Sequence, residues 1–463
     1  MLKIGRWISK HRILVLIIGF LLLVPSVFGY INTKVNYDIL YYLPDDIDTM
    51  KGQDILLKDF GKGAYAILIV NDVDDAHAAA IKKKAEQVDH VEQVLWYDTF
   101  LDDSIPQEML PDSIYDIFHS DKGTMMIVFF DEGTSSDSTM DAIIELRKVT
   151  GEQCFLSSMS AIVTDTKLLV DKELFWYVLI AVILSATVLS VTMDSFMAPV
   201  LFLLNIGMAI IYNLGSNMIK GEISFITMSL AAVLQLAVTM DYSIFLWNSY
   251  KEERSKYNTN EEAMAHAIAN TITSVAGSSL TTIAGFIALC FMTFTLGMDL
   301  GVVMAKGVVL GVITCITLLP AMILCCDKLI RKTVHKPITV KGDRLAGFVI
   351  GHYKIFFFIL LLVIPAVYGY QRVNVYYKLD SSLPAYLHSV RSNSELEEGY
   401  DINSLQMILA SDEMSSKDVR KMIDEIEQVD GVEFALAADS IVPAGIPTEF
   451  IPSDASSALK AGG

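Results

Sequence analysis

The sequence has 463 residues, of which 53% are hydrophobic, and its formal net charge is −19 at pH 7. It is too apolar for an ordinary soluble protein and too long for one ordinary domain. The acidic balance argues against nucleic acid as a partner. No nucleotide-binding loop, G-x-S-x-G elbow or metal-ligand cluster is found in the sequence, so we expect neither an enzyme nor a bound cofactor or metal.

Seven apolar windows are long enough to cross a hydrocarbon core of about 30 Å, which takes about 20 helical residues. The first is expected to stay in the protein, because no small-residue cleavage site follows it. The predicted spans are Ile13–Tyr30, Leu174–Thr192, Met197–Met218, Ser224–Asn248, Thr271–Phe294, Leu300–Cys325 and Ile355–Tyr370.

These spans divide the chain into six regions. We predict the N-terminus and first span in residues 1–30, an exported domain in 31–173, a helical bundle in 174–330, a cytoplasmic linker in 331–354, the seventh span in 355–370 and a second, incomplete exported domain in 371–463.

Lysine and arginine are concentrated before the first span, after the fourth and after the sixth. Alternating spans place all three groups on one side, which the positive-inside rule makes the cytoplasm. Residues 31–173 then lie outside with 28 Asp and Glu against 12 Lys and Arg, and residues 371–463 with 16 against 7. We therefore predict a multi-pass plasma-membrane protein with a cytoplasmic N-terminus and two extracytoplasmic domains.

The first exported domain shows alternating strand and helix patterns. One unit is predicted as strand Tyr65–Val70, helix Ala76–Gln87 and strand Val91–Tyr97; a second follows as strand Thr124–Phe130, helix Ser138–Val149 and strand Cys154–Ser157. Two units of this size indicate an α+β, ferredoxin-like (split βαβ) domain. The predicted fold class is thus a membrane α-helical bundle with extracytoplasmic ferredoxin-like domains.

Self-comparison indicates an internal repeat. Pro25–Tyr30 recurs at Pro365–Tyr370, and Val35, Tyr37, Leu43 and Pro44 recur at Val375, Tyr377, Leu383 and Pro384, a shift of 340. The later pairs are shifted by 341: Gln87–Glu92 with Gln428–Glu433, Ile105–Glu108 with Ile446–Glu449, and Pro111 with Pro452. The second copy is shorter than the first, so we expect a truncated gene or a fragment, with a genuine seven-helix protein as the alternative.

Asp241, in the run Val238–Leu246 of the fourth span, is the strongest candidate site residue. A charged side chain at the bilayer centre costs about 3 kcal/mol or more, so such a residue is a functional hypothesis by default. At about 1.5 Å per residue, it lies about 6 Å to the cytoplasmic side of the span's midpoint. The alternative is a purely structural role, in which the carboxylate accepts hydrogen bonds from neighbouring hydroxyls.

The fifth span carries a stripe of small polar residues at spacings of three and four. Ser278 falls at the same depth as Asp241, and Thr282 lies at the midpoint. Such a stripe alone is typical of helix packing. Opposite a buried carboxylate, it becomes a candidate relay or hydration path, with Tyr242 as a further hydrogen-bonding group. The members are Thr271, Ser274, Ser278, Thr281, Thr282 and Gly285.

Two more charges are candidates for an accessory role. Lys306 in the sixth span lies about 15 Å from the level of Asp241 toward the outer side, so snorkelling is favoured over direct pairing. Asp299 is predicted in the short outer loop before that span.

Three motifs resemble the RND superfamily, specifically its MmpL-like branch. They are VTMDYSIFL (Val238–Leu246), GSSLTTIAGF (Gly277–Phe286) and MDLGVVMAKGVVLGV with the later TLLP (Met298–Val312 and Thr317–Pro320). The resemblance implies a duplicated six-helix bundle and proton-driven export of lipids or other hydrophobic or amphiphilic molecules. It also implies that Asp241 and Tyr242 form the proton relay, with Ser278 or Ser279 as the partner on the fifth span.

Members of this branch carry a second Asp-Tyr pair on helix ten, and this sequence has only one. A missing second half or a homo-oligomer would supply the rest. The alternatives are a lipid- or sterol-sensing membrane module and a SecD/SecF-like protein-export auxiliary; the Asp-Tyr pair favours the exporter over the former. The cargo and the choice of H⁺ or Na⁺ stay open.

The predicted topology can be tested with cysteines introduced at Asp137 and Ser415. Both should react with a membrane-impermeant thiol reagent on intact cells, because both domains are predicted outside. A cysteine at Lys256, on the predicted cytoplasmic side, is the control and should react only after permeabilisation. Protection of either exported position on intact cells would overturn the topology.

Overall fold

The computed structural model describes residues 1–100, 112–151, 153–337, 343–373, 382–403, 405–411, 413–432 and 434–437. The helices are α1 Leu2–Lys10, α2 Arg12–Asn32, α3 Asp48–Phe60, α4 Asp75–Ala85, α5 Asp112–Phe118, α6 Asp137–Thr150, α7 Met159–Thr192, α8 Met197–Gly215, α9 Phe225–Arg254, α10 Asn260–Leu289, α11 Leu296–Cys325, α12 Asp327–Lys332, α13 Asp343–Gly351, α14 Tyr353–Phe358, α15 Val363–Tyr370, α16 His388–Tyr400 and α17 Ser416–Glu427. The strands are β1 Lys34–Asn36, β2 Ala64–Asn71, β3 Val91–Leu95, β4 His119–Ser120, β5 Gly123–Phe130, β6 Cys154–Ser157 and β7 Glu222–Ser224.

Seven helical segments of the described chain are long and apolar enough to cross a membrane. They are α2, α7, α8 with the 3-10 turn that follows it, α9, α10, α11 and the run Tyr353–Tyr370. Their number and order agree with the seven predicted spans. The prediction of a membrane helical bundle is therefore confirmed.

The helix boundaries differ from the predicted ones where a helix continues into polar sequence. α7 begins at Met159 rather than Leu174, and α10 begins at Asn260 rather than Thr271. Hydropathy detects only the apolar part of a helix, whereas the backbone hydrogen bonds continue beyond it. α10 also ends at Leu289, before the predicted Phe294.

Glycines bring α2 against its neighbours in the bundle. A Cβ added at Gly29 would lie 2.2 Å from the carbonyl oxygen of Gly215, and one at Gly215 would lie 1.9 Å from that of Ser26. α2 and α8 therefore cross with their backbones in contact, which small residues permit in membrane helices. Beyond this crossing, β1 pairs in parallel with β7, joining the chain after α2 to the chain before α9.

Residues 37–171 and 380–463 group into one compact unit, and the remaining residues form the other. The unit of residues 37–171 and 380–463 contains, in its described part, a five-stranded sheet. Strands β3, β5, β2 and β6 are neighbours in that order, and β4 pairs with β5. All its strand pairs are antiparallel. α4 connects β2 to β3, and α6 connects β5 to β6. The core includes Leu68, Trp96, Met126, Phe130 and Ile143.

Every strand and helix predicted between residues 65 and 157 is present, with boundaries shifted by at most two residues. The sequence patterns missed α3, α5 and β4. α3 buries none of its side chains.

Helices in the two segments of the predicted repeat begin and end at matching offsets. α3 at residues 48–60 corresponds to α16 at 388–400, an offset of 340. α4 begins at 75 and α17 at 416, an offset of 341, and each is capped by a side chain at the preceding residue, Asp74 or Ser415. The left-handed backbone also recurs, at Gly61 and Asp401 and at His90 and Gly431. The pairs at 105–111, 375–377 and 446–452 lie outside the described residues.

The two regions treated above as separate exported domains pack on each other in the structure. α16 lies along β6, the end strand of the sheet. The Ser157 hydroxyl donates to Asn393 Oδ1 at 2.6 Å, and the Tyr65 hydroxyl donates to the Leu405 carbonyl at 2.7 Å. An end strand has unpaired backbone groups that native folds cover, and α16 serves that purpose here.

Cys154 lies half-buried at the start of β6. Burial raises the pKa of its thiol to about 11. Since only the thiolate reacts with alkylating reagents, this native cysteine stays largely unreactive near neutral pH. The labelling experiment on residues 137 and 415 therefore has a low background from this domain.

Asp165 forms a buried ion pair with Arg147 and also accepts a backbone hydrogen bond from the later segment of the same unit. Its carboxylate accepts from Arg147 Nη1 at 2.6 Å and from the Ser389 backbone N–H at 2.7 Å, and its side chain is 4% exposed.

Asp165→Asn should lower the free energy of unfolding of this unit by about 3 kcal/mol, because it leaves the Arg147 guanidinium buried and unpaired. Urea unfolding of the full chain in detergent, followed through the buried Trp96, measures the change. Glu145→Gln breaks only the exposed pair with Lys148 and should change the same quantity by less than about 1 kcal/mol. Equal effects of the two variants would contradict the prediction.

Candidate functional site

α9 has two faces of different character. The face with Gln235, Thr239, Tyr242 and Leu246 is buried, at spacings of three and four residues. Asp241 lies on the other face and is exposed. Within the described chain, Asp241 makes no hydrogen bond or ion pair, so its carboxylate projects from an apolar helix with nothing to neutralise it.

The predicted hydroxyls of α10 divide between the same two environments. Ser278 is exposed, Thr282 is half-buried and Ser279 is 6% exposed. Thr282 donates to the Ser278 carbonyl at 3.0 Å, and Ser279 donates to the Ala276 carbonyl at 3.3 Å. The Thr282 and Ser279 hydroxyls are thus satisfied within their own helix, and neither donates to Asp241.

Tyr242 is buried, 3% exposed, in an apolar cluster that includes Val275 of α10 and Cys315 of α11. Its hydroxyl has no hydrogen-bond partner in the described chain. Leaving a buried polar group unpaired costs about 1–3 kcal/mol. The phenol is therefore a hydrogen-bond donor without an acceptor, adjacent in sequence to the unpaired carboxylate.

A polar seam that the sequence analysis missed joins α8, α9 and α11. Asn213 Nδ2 donates to Gln235 Oε1 at 3.0 Å, and Gln235 Nε2 donates to the Gly307 carbonyl at 3.2 Å. A Cβ at Gly307 would lie 2.6 Å from Asn213 Nδ2, and one at Gly311 would lie 2.5 Å from Thr239 Oγ1. The seam thus needs glycine at both positions of α11.

The seam encloses a cavity of about 10 Å³ bordered by Asn213, Gln235 and Thr239. This is close to the smallest volume that holds one water. Asn213 Oδ1 and Thr239 Oγ1 lack partners in the described chain. The cavity lies on the buried face of α9, whereas Asp241 lies on the exposed one.

Lys306 and Asp299 are held by the segment between α8 and α9. Asp299, 1% exposed, forms an ion pair with Lys220 and accepts from the Ser224 backbone N–H at 3.0 Å. Lys306 donates to Asn217 Oδ1. Neither pairs with Asp241. Asp299 also belongs to the first turn of α11 and not to a loop, a position where an acidic residue stabilises a helix.

Two signals in the sequence could have revealed this seam. Gly307 and Gly311 form a G-x-x-x-G pair in an apolar helix, which is typical of close helix packing. Asn213 and Gln235 are amides inside predicted spans, where unpaired polar groups are disfavoured.

The sequence model of the MMPL family matches residues 42–336, well over half of the chain, including α9, α10 and α11. The chain belongs to the MMPL family. The resemblance inferred from the three motifs is confirmed.

Several curated proteins are similar to the chain. Membrane protein YdfJ of Bacillus subtilis is 21% identical over 70% of this chain and 45% of its own length. The probable transport protein MmpL4 of Mycobacterium leprae is 26% identical over 47% of this chain and 23% of its own length. The siderophore exporter MmpL5 of Mycobacterium tuberculosis is 33% identical over 29% of this chain and 14% of its own length. The matches cover less than half of each relative.

Gly311→Ala should destabilise the bundle, because the added methyl group meets the stiff side chain of Thr239. Overpacking of this kind costs about 1–3 kcal/mol, so the thermal midpoint of the full chain in detergent should fall. Gly285→Ala on α10 is the matched control: its Cβ meets nothing within 4 Å, and the midpoint should stay unchanged or rise slightly. A midpoint equally unaffected by both substitutions would show that the seam does not need the glycine.

Proposed function

We propose that this protein acts in the proton-driven export of lipids or other amphiphilic molecules across the plasma membrane. Membership of the MMPL family supports a membrane transporter, and relatives carry the names transport protein and siderophore exporter. The observation that carries the proposal is the lone carboxylate of Asp241 on an exposed face of α9.

The carboxylate couples export to protons through its two protonation states. The ionised form needs water or a partner, because charge in lipid costs about 3 kcal/mol or more, whereas the protonated form is neutral and packs against apolar surface. Protonation therefore favours one conformation of α9 and ionisation another. A proton crossing the membrane contributes about 2.3 kcal/mol per 100 mV, which is comparable to this difference.

Tyr242 and the hydroxyls of α10 assist Asp241 in the proposed relay. A change of side-chain conformation at Asp241 and Tyr242 would bring the unpaired phenol toward the carboxylate and satisfy both groups. Ser278 lies on the exposed side of α10, and α9 packs against that helix. Ser279 and Thr282 release their bonds to the helix backbone when they enter the relay.

The exposed face with Asp241 and Ser278 is proposed to lie against a second helical bundle in the working transporter. A carboxylate facing lipid is costly, so a covered or water-filled position is favoured. That bundle comes either from further polypeptide or from a second copy of the chain. The cargo is proposed to be an amphiphile that passes from the membrane to the exported unit.

The proposed topology places the N-terminus in the cytoplasm and residues 37–171 outside. We interpret the sheet unit as a split-βαβ, ferredoxin-like domain. The strand order β3-β5-β2-β6 with antiparallel neighbours, and the crossover helices α4 and α6, support this interpretation. The matching bounds of α3 with α16 and of α4 with α17 support a duplicated origin.

Asp241→Asn should abolish gradient-driven export while leaving folding intact, because the amide keeps the size of the side chain but cannot ionise. Tyr242→Phe should weaken export less, since it removes a hydrogen bond and no charge. The assay is efflux of a fluorescent phospholipid or a cationic dye from proteoliposomes with an imposed proton gradient, with a sodium gradient in parallel.

Asp299→Asn is the contrasting variant, because Asp299 is paired with Lys220 and Ser224. It should lower the thermal midpoint, whereas Asp241→Asn should not. Normal export by a well-folded Asp241→Asn variant would contradict the relay. Absence of gradient-driven efflux for the unsubstituted protein with every probe would favour the lipid-sensing alternative.

A further inference from the structure

α1 precedes the first membrane helix and packs on α10. A Cβ at Gly5 would lie 2.5 Å from the Ala265 carbonyl oxygen, so the two backbones touch. Ile8 and Ser9 are buried on the same face. Arg6 donates to Glu262 through Nε at 3.0 Å, and Arg12 pairs with Glu261 at 2.7 Å. α1 is therefore fixed to the first turns of the helix that carries Ser278.

The apolar side chains that α10 leaves uncovered form one arc of α1. Met1, Ile4 and Trp7 follow each other at spacings of three and are 65%, 50% and 51% exposed. At 100° of rotation per residue, Ile8 lies between Met1 and Ile4 on the helix circumference. The exposed apolar arc therefore adjoins the buried surface of α1. The Trp7 ring stacks on His11 with centroids 5.1 Å apart, and all three side chains of the arc stay half or more exposed.

The side of α1 that faces away from α10 is basic. Lys3 and Lys10 are exposed and form no ion pair within the described chain, whereas Arg6 is neutralised by Glu262. Two free cations therefore border the apolar arc. A helix with an apolar face, a basic face and a tryptophan at the boundary is typical of one lying in the plane of a membrane surface.

The chain bends between α1 and α2 at His11, whose Nδ1 lies 3.0 Å from the Trp7 carbonyl oxygen. The same arrangement recurs 341 residues later. α13 ends before His352, whose Nδ1 lies 3.0 Å from the Phe348 carbonyl oxygen, and the apolar run Tyr353–Tyr370 follows. Leu345, Phe348 and Ile350 of α13 are exposed. A short exposed apolar helix thus precedes a membrane span twice.

We propose that α1 lies in the surface of the leaflet on the N-terminal side of the membrane and binds anionic phospholipid. Ile4 and Trp7 enter the upper acyl region, and Lys3 and Lys10 contact phosphate headgroups. Because α1 is tied to α10 by Gly5 and the Arg6–Glu262 pair, this contact fixes the start of α10 relative to the lipid surface. The inference holds whether or not the protein exports a cargo.

The test uses single fluorescent labels on the full chain, with the five native cysteines replaced, in vesicles of phosphatidylcholine with or without 30% phosphatidylglycerol. Labels at Ile4 and Trp7 should be quenched by a lipid with a nitroxide near the headgroup at least twofold more than labels at Lys3 and Lys10. Aqueous iodide should show the opposite order. Equal quenching at all four positions would overturn the in-plane arrangement.

The anionic preference has its own readout. Phosphatidylglycerol should increase the lipid quenching of the label at Ile4, and Lys3→Gln with Lys10→Gln should remove that increase. Lys83→Gln with Lys417→Gln, which removes two exposed lysines from the sheet-containing unit, should leave it unchanged. An increase that survives the loss of Lys3 and Lys10, or no increase at all, would overturn the headgroup contact.

Discussion

The hydrocarbon core of a membrane offers no hydrogen bonds, so each polar group of a spanning helix must be satisfied by the protein. Hydroxyls in this bundle follow that constraint by donating to their own helix four residues back, as Thr187 does to Ile183 and Ser229 to Phe225. Amides follow it across helices, as in the pair of Asn213 with Gln235. Several buried groups of the described bundle depart from it, among them both polar atoms of the Asn205 side chain. Asp241 and the Tyr242 hydroxyl do so at adjacent positions on α9.

The two faces of α9 consequently have different mechanical properties. Its buried face is joined to α8 and α11 by amide hydrogen bonds and by glycine contacts that tolerate no added atoms. Its exposed face carries a carboxylate with no fixed partner. A change in the charge of Asp241 therefore acts on a helix that is firmly held along one side, so rigid displacement of α8, α9 and α11 together is favoured over local unwinding.

Sequence patterns located most elements because they report burial along a single helix or strand. The seven spans and the elements between residues 65 and 157 were predictable for this reason. Asp241 stands out in the sequence because charge inside an apolar window is rare, and its role stays a prediction. The partners of Asp299 and Lys306 were not, since they depend on how the turn at 216–224 folds back on α11. The exposure of Ser278 and the burial of Ser279 likewise depend on the rotation of α10 against its neighbours.

Left-handed residues occur at the same sequence offsets in the two segments that pack into the sheet-containing unit. Glycine occupies the position at 61 and Asp the equivalent one at 401, whereas His occupies 90 and glycine 431. A non-glycine residue in this conformation costs about 1–2 kcal/mol. At these two pairs of turns, the strained residue is Asp401 at one and His90 at the other. The left-handed conformation at these turns is therefore imposed by the path of the chain and is kept even where glycine, the residue that best fits it, is absent.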